Sequence, residues 1–156
     1  MIQILYYVEP RHIEFEERTY LMSRIIWDDS LQIGIQVIDY QHKKIADLYN
    51  KLVDALVDSK PKELINLIIK EFMEYALTHF ETEENMFKLA NYVDTKSHIE
   101  QHQKFQKKAR EMINGFHTGK IVLSETTLHF VQLWITDHIK TSDMAYYNSL
   151  RRAGFK

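Results

Sequence analysis

The 156-residue chain contains no cysteine, only four glycines and two prolines, and no strong excess of charge of either sign. The missing thiols exclude a disulfide scaffold, a thiolate zinc site, an iron–sulfur cluster and c-type haem attachment. Any metal must therefore be held by imidazole and carboxylate, which suits iron, manganese or zinc. Sparse glycine and proline argue against a turn-dense all-β protein. Twenty basic residues face 22 acidic ones, a net charge of −2, so nothing in the balance marks a nucleic-acid partner. The pairs Lys43-Lys44, Lys107-Lys108 and Arg151-Arg152 are short and far apart, and read as solvated helix faces. No apolar run approaches the roughly 18–20 residues that span a bilayer. The stretch from Ile2 to Val8 has no basic flank before it and runs into Glu9-Pro10, unlike a signal peptide or anchor. The reading is of a soluble, cytoplasmic protein with no membrane and no nucleic-acid partner.

What the chain does have is helical periodicity and eight histidines. Residues 1–21 read as an extension of uncertain status, with the functional domain over 22–156, beginning near Met22. An intact mass of the native protein that includes all 21 residues would exclude an upstream-start origin for them. Residues 23–36 carry Trp27, Ile33, Gly34 and Ile35 without helical period and read as an ordered arm. Helices are predicted over about 37–58, from Pro61 to about Leu89, over about 95–116, and from a Ser124 cap to about Arg152. In the first, Ile38, Ile45, Leu48, Leu52, Ala55 and Leu56 form the apolar face. In the second, Leu64, Ile68, Phe72, Tyr75, Phe80, Met86 and Phe87 do so. Gly115 and Gly119 mark the end of the third. The fold class is all-α: an antiparallel up-down-up-down four-helix bundle with an N-terminal arm.

Five histidines and two carboxylates distribute over those helices. His42 lies on the first, His79 and Glu83 on the second, His98 and His102 on the third, and His138 and Asp143 on the fourth. The second and third helices carry their pairs four residues apart, which puts both side chains on one face with Cβ atoms about 5–6 Å apart. Bundle interiors are where cofactor sites are built from such facing side chains. His12, His117 and His129 fall outside the pattern.

The order His, His-x3-Glu, His-x3-His, His-x4-Asp resembles the hemerythrins, in particular the single-domain bacteriohemerythrins. The matching text is IDYQH at 38–42, HFETE at 79–83, HIEQH at 98–102 and HIKTSD at 138–143. The resemblance covers about residues 23–152. It implies reversible dioxygen binding, rather than enzymatic turnover, at a non-haem centre of two iron ions. His98, His102 and His138 would bind one iron and His42 and His79 the other. Glu83 and Asp143 would bridge the two, with a solvent-derived oxo or hydroxo group. Counting ligands leaves one open position, on the iron of His42 and His79, for O2. Oligomeric state is left open, a monomer being one option.

A dry pocket around that position follows, because a hydrophobic shell controls solvent access to a metal. Phe80, Ile45, Trp134 and Ile139 match family pocket positions. Ile135 stands where the family usually has leucine, and its β-branched side chain is stiffer at χ1. Met144 replaces a common lysine, and Tyr146 matches a frequent aromatic. His138 and Asp143 are five residues apart, about 140° around a regular helix, so Asp143 must reach the metals from the flank or be re-aimed by a π-type bulge. A ferritin-like oxidase needs two helical Glu-x-x-His motifs, which are absent. A zinc hydrolase needs His-Glu-x-x-His, also absent. A di-iron enzyme acting on O2, peroxide or nitric oxide in the same scaffold is the main alternative.

Overall fold

The computed structural model describes residues 24–121 and 123–156. The extension read over 1–21 lies outside them. α1 is Gln36–Val57, α2 Lys62–Ala90 and α3 Thr95–His117. The fourth helix runs in three pieces: α4 over Glu125–His138, a π-helical turn over Ile139–Asp143, and α5 over Met144–Arg152. The short connections fold successive helices antiparallel into a four-helix bundle.

Residues 24–35 form the arm, extended apart from a single 3-10 turn at Asp29–Leu31. Its inward side chains Leu31, Ile33 and Ile35 are buried while Gln32 and Gly34 are exposed, the period of two expected of extended chain. The Asn50 side chain pins the arm to α1: Ile25 N donates to its Oδ1 at 2.9 Å and its Nδ2 donates to Ile25 O at 2.8 Å. Gly34 turns the chain into α1 at φ +85, and a Cβ there would sit 3.1 Å from the Tyr147 ring. Asp39 reaches back from the first turn of α1 to accept from Ile33 N and Gly34 N. A carboxylate there also complements the helix dipole.

Every expected helix forms, with boundaries shifted by a residue or two. Pro61 precedes α2 rather than standing in its first turn. Leu64, expected on the apolar face, is exposed, whereas Ile65, Ile68, Phe72 and Phe80 are buried. Ser124 caps α4, accepting from Thr127 N. Gly119, at φ +71, follows the end of α3, while Gly115 lies inside that helix against Ile121. Tyr49 is fully buried and donates to Leu128 O at 2.8 Å, tying α1 to α4.

Ser59 closes α1 at φ +49, with Lys60 N donating to Ala55 O at 2.9 Å. This is the left-handed position that glycine fills without a Cβ penalty. Ser59→Gly should stabilise the fold by roughly 0.5–1 kcal/mol and raise the melting temperature by about 2 °C. A lower melting temperature in a thermal scan would contradict this account of the turn.

Candidate metal centre

Seven polar or charged side chains are buried among the described residues: His42, His79, Glu83, His98, His102, His138 and Asp143. They are the seven that the sequence pattern singles out, and the bundle brings all of them together. Two groups form, each with ligand-capable atoms within 4.8 Å of one another. One is Glu83, His98, His102 and His138; the other is His42, His79, Glu83 and Asp143.

The carboxylates straddle the two groups. Glu83 turns Oε2 toward His102 Nε2 at 3.1 Å and His98 Nε2 at 3.5 Å, and Oε1 toward His79 Nε2 at 3.6 Å. Asp143 turns Oδ1 toward His138 Nε2 at 3.2 Å and His98 Nε2 at 3.3 Å, and Oδ2 toward His42 Nε2 at 3.1 Å. Each carboxylate thus presents one oxygen to each side.

Asp143 can do this because of the π-turn. On a regular helix a residue five beyond His138 would point about 140° away. The wider turn over Ile139–Asp143 brings Asp143 back beneath His138, with no exposure to solvent. Such bulges recur at functional sites.

Flanking groups set the ring orientations. His79 Nδ1 donates to Gln41 Oε1 at 3.1 Å, and Gln41 Nε2 donates to Thr82 Oγ1 at 3.1 Å. His102 Nδ1 donates to Glu84 Oε1 at 3.2 Å. A neutral imidazole whose Nδ1 donates outward carries its lone pair on Nε2, here facing inward. Aromatic faces restrain two rings: Trp134 stacks on His138 with centroids 4.5 Å apart, and Phe80 on His102 at 3.9 Å. Tyr146, fully buried, donates to Glu83 Oε1 at 2.5 Å.

The donor set fits a cation. His42 Nε2, His98 Nε2, Glu83 Oε2 and both Asp143 oxygens are buried without a hydrogen-bond partner. Buried polar groups are normally satisfied. A cluster of inward lone pairs and carboxylate oxygens with too few protons to share is what a metal ion completes.

Titration in the metal-free chain follows from the same geometry. Burial pulls His79 and His138 down to about 4. At His98 burial opposes charge, but the carboxylates of Asp143 and Glu83 at 3.3 and 3.5 Å outweigh it and push the ring up to about 9. Burial would raise Glu83, yet His79, His102 and His98 hold it well below the carboxylate range. An unfolded histidine titrates near 6.5. Below that pH the unfolded chain takes protons that folded His79 and His138 refuse until about 4, so stability falls. Above it the unfolded chain releases a proton that folded His98 keeps until about 9, so stability falls again. The metal-free protein should be most stable between about pH 6 and 7. Urea midpoints measured from pH 4 to 9 check this, and a midpoint still climbing through pH 9 would contradict it.

A cavity of about 20 Å³ adjoins the cluster, lined by His42, His79, His138 and Asp143 and otherwise by apolar side chains. The five pocket residues predicted from sequence, Ile45, Phe80, Trp134, Ile135 and Ile139, all line it. Phe72, Ala76 and Phe105 also line it and were not anticipated. Spacing puts them only on the inward faces, Phe72 and Ala76 preceding Phe80 by eight and four residues on α2 and Phe105 following His98 by seven on α3, which does not separate cavity wall from core. The space admits about one water-sized molecule. It touches His42 and His79 but not His98, His102 or Glu83. Met144 is partly exposed on the surface.

Fold and cluster together define a helical bundle built around an internal imidazole–carboxylate cation site. A model of the hemerythrin HHE cation binding domain matches residues 33–150. The chain belongs to the hemerythrin family. A bacteriohemerythrin of Pseudomonas aeruginosa (strain UCBPP-PA14) is 33% identical over 132 residues, covering 85% of each chain. A hemerythrin-like protein of Naegleria gruberi is 33% identical over 128 residues, covering 82% of this chain and 95% of that one. A wild-type hemerythrin crystal structure superposes with a TM-score of 0.76 at 27% identity, covering 81% of this chain and 97% of that one.

Proposed function

We propose that the protein binds dioxygen reversibly at a centre of two iron ions. His98, His102 and His138 would hold one iron, His42 and His79 the other, with Glu83 and Asp143 shared between them. When bound, the ferrous pair supplies the electrons that dioxygen takes up and returns. The carrying observation is the placement of the cavity. It is lined by both imidazoles of the two-histidine group, His42 and His79, and by only one of the three-histidine group, His138, so it adjoins the side where two imidazoles would leave a position for dioxygen.

The chain's own residues keep that position dry and leave it without an acid or base. Apart from the ligands, the cavity lining is Ile45, Phe72, Ala76, Phe80, Phe105, Trp134, Ile135 and Ile139. Turnover of O2 or peroxide needs a proton delivered at the reacting atoms, and a side chain positioned to give it is the usual device. This wall has none, which favours a carrier, store or sensor over an oxidase. One chain supplies the whole ligand set, so a monomer suffices. No helix among the described residues is long and apolar enough to cross a membrane. We place the protein in the cytoplasm.

Reduced, iron-loaded protein titrated with O2 should develop a coloured species that bleaches on degassing and returns on re-exposure. Irreversible bleaching with consumption of O2 or peroxide would replace this reading with the enzymatic one. Ile135 is 5% exposed on the cavity wall. Ile135→Ala should enlarge the space and thin its apolar wall, letting more water reach the centre and shortening the lifetime of the oxygenated form by roughly tenfold, the scale of effects from the shell around a metal. An unchanged decay rate would argue against water exclusion by that wall.

A further inference from the structure

Beyond the ligands themselves, one hydrogen bond joins two of the segments that carry them. Ser142 Oγ donates to Gln101 Oε1 at 2.7 Å. Gln101 sits on α3 between His98 and His102, and Ser142 immediately precedes Asp143 on the π-turn. Among the described residues, no other side-chain hydrogen bond between α3 and the fourth helix lacks a ligand histidine.

The bond is specific to the π-turn. Continued as a regular helix, the chain would carry Ser142 to within about 40° of the direction of His138, into the interior, and turn Asp143 away. In the wider turn Ser142 instead faces α3 and Asp143 takes the interior position. Ser142 therefore meets Gln101 only in the register that also aims Asp143. Thr141 Oγ1 donates to Asp137 O at 2.7 Å, a contact within the fourth helix that leaves its position relative to α3 open. On its outer side the Ser142–Gln101 pair lines a depression of about 280 Å³ with Ser97, Asp94, Tyr92 and His98.

We propose that this hydrogen bond is a register lock. It selects the π-turn and holds it against α3, so that Ser142 and Gln101 are positioning residues for Asp143, His98 and His102. The proposal rests on the cluster being a metal site. Its effect on the backbone turn is separable from that reading. Because both side chains are only half-buried, losing the bond should loosen the turn without unfolding the bundle.

The test compares Ser142→Ala, Ser142→Thr and Gln101→Leu in the full chain. In metal-free protein, amide exchange over residues 139–144 should quicken about fivefold in Ser142→Ala, the worth of one ordinary hydrogen bond. In iron-loaded protein a chelator should strip metal about tenfold faster from Ser142→Ala, with a shifted visible spectrum. Gln101→Leu should reproduce both effects. Ser142→Thr, which keeps the hydroxyl, should restore wild-type exchange, retention and spectrum. Unchanged exchange in Ser142→Ala, or a threonine variant as impaired as the alanine one, would overturn the lock. A wild-type protein that takes up no iron would sink the proposed function, while the exchange data would still decide the lock.

Discussion

Glu83→Ala should leave the bundle helical but retain less than about a tenth of the wild-type iron under the same loading conditions, a loss at the upper end of what ligand-shell changes cause. Glu83 is completely buried and is the member common to both groups that could hold a metal ion. Removing it leaves the first group with imidazoles only and the second with His42, His79 and Asp143. It also strips Tyr146 of the acceptor for its buried hydroxyl. Five imidazoles and one carboxylate cannot neutralise two divalent ions as well as five and two can. Leaving buried groups without a charged partner costs several kcal/mol, about 3–5 for a broken buried pair. Glu83→Gln separates these effects. The amide keeps the volume and an acceptor for Tyr146 but removes the negative charge, so it should fold better than Glu83→Ala and still lose metal. Iron per chain from elemental analysis, with circular dichroism as the folding control, reads the outcome. Full iron retention in Glu83→Ala would remove this residue from the ligand set.

Stripping the metal from wild-type protein should lower its melting temperature by 10 °C or more, an estimate of roughly 2–4 °C per kcal/mol for a chain of this size. The physical reason is the cluster itself. Without metal, His42 Nε2, His98 Nε2, Glu83 Oε2 and both Asp143 oxygens have no hydrogen-bond partner in a dry interior. Each such group carries a desolvation penalty of about 1–3 kcal/mol. A metal that binds only the folded state removes those penalties and adds its own binding free energy to folding. Differential scanning calorimetry of loaded and chelated protein at pH 7 measures the shift. A melting temperature that does not move on chelation would mean that the cluster gains nothing from a cation.

Much of this was legible in the sequence because helix geometry is regular. Pairs four residues apart must share a face, so His79 with Glu83 and His98 with His102 declared themselves. The five-residue step from His138 to Asp143 was legible as a conflict. Spacing alone showed that the helix had to deform or Asp143 had to approach from the flank. The structure resolves that conflict with the π-turn. Packing around the cluster was harder to read. Gln41 and Glu84 sit beside members of the buried cluster in sequence, but adjacency on a helix does not predict that their side chains reach His79 and His102. Tyr146 could be placed near the site, yet whether its hydroxyl found a partner depended on the approach of α5 to α2. Leu64 misled because its spacing matches the apolar face of α2, whereas its neighbour Ile65 takes the buried direction in that turn. Residues such as Phe105 needed the tertiary arrangement, since the same periodicity serves core and cavity wall alike.

The most direct test of the central claim is an anaerobic gas titration of reduced, iron-loaded protein, with iron and protein quantified on the same sample. Two iron ions and one dioxygen per chain, with the dioxygen recovered on degassing, is the result this account predicts. One iron per chain, or dioxygen consumed and not recovered, would contradict it.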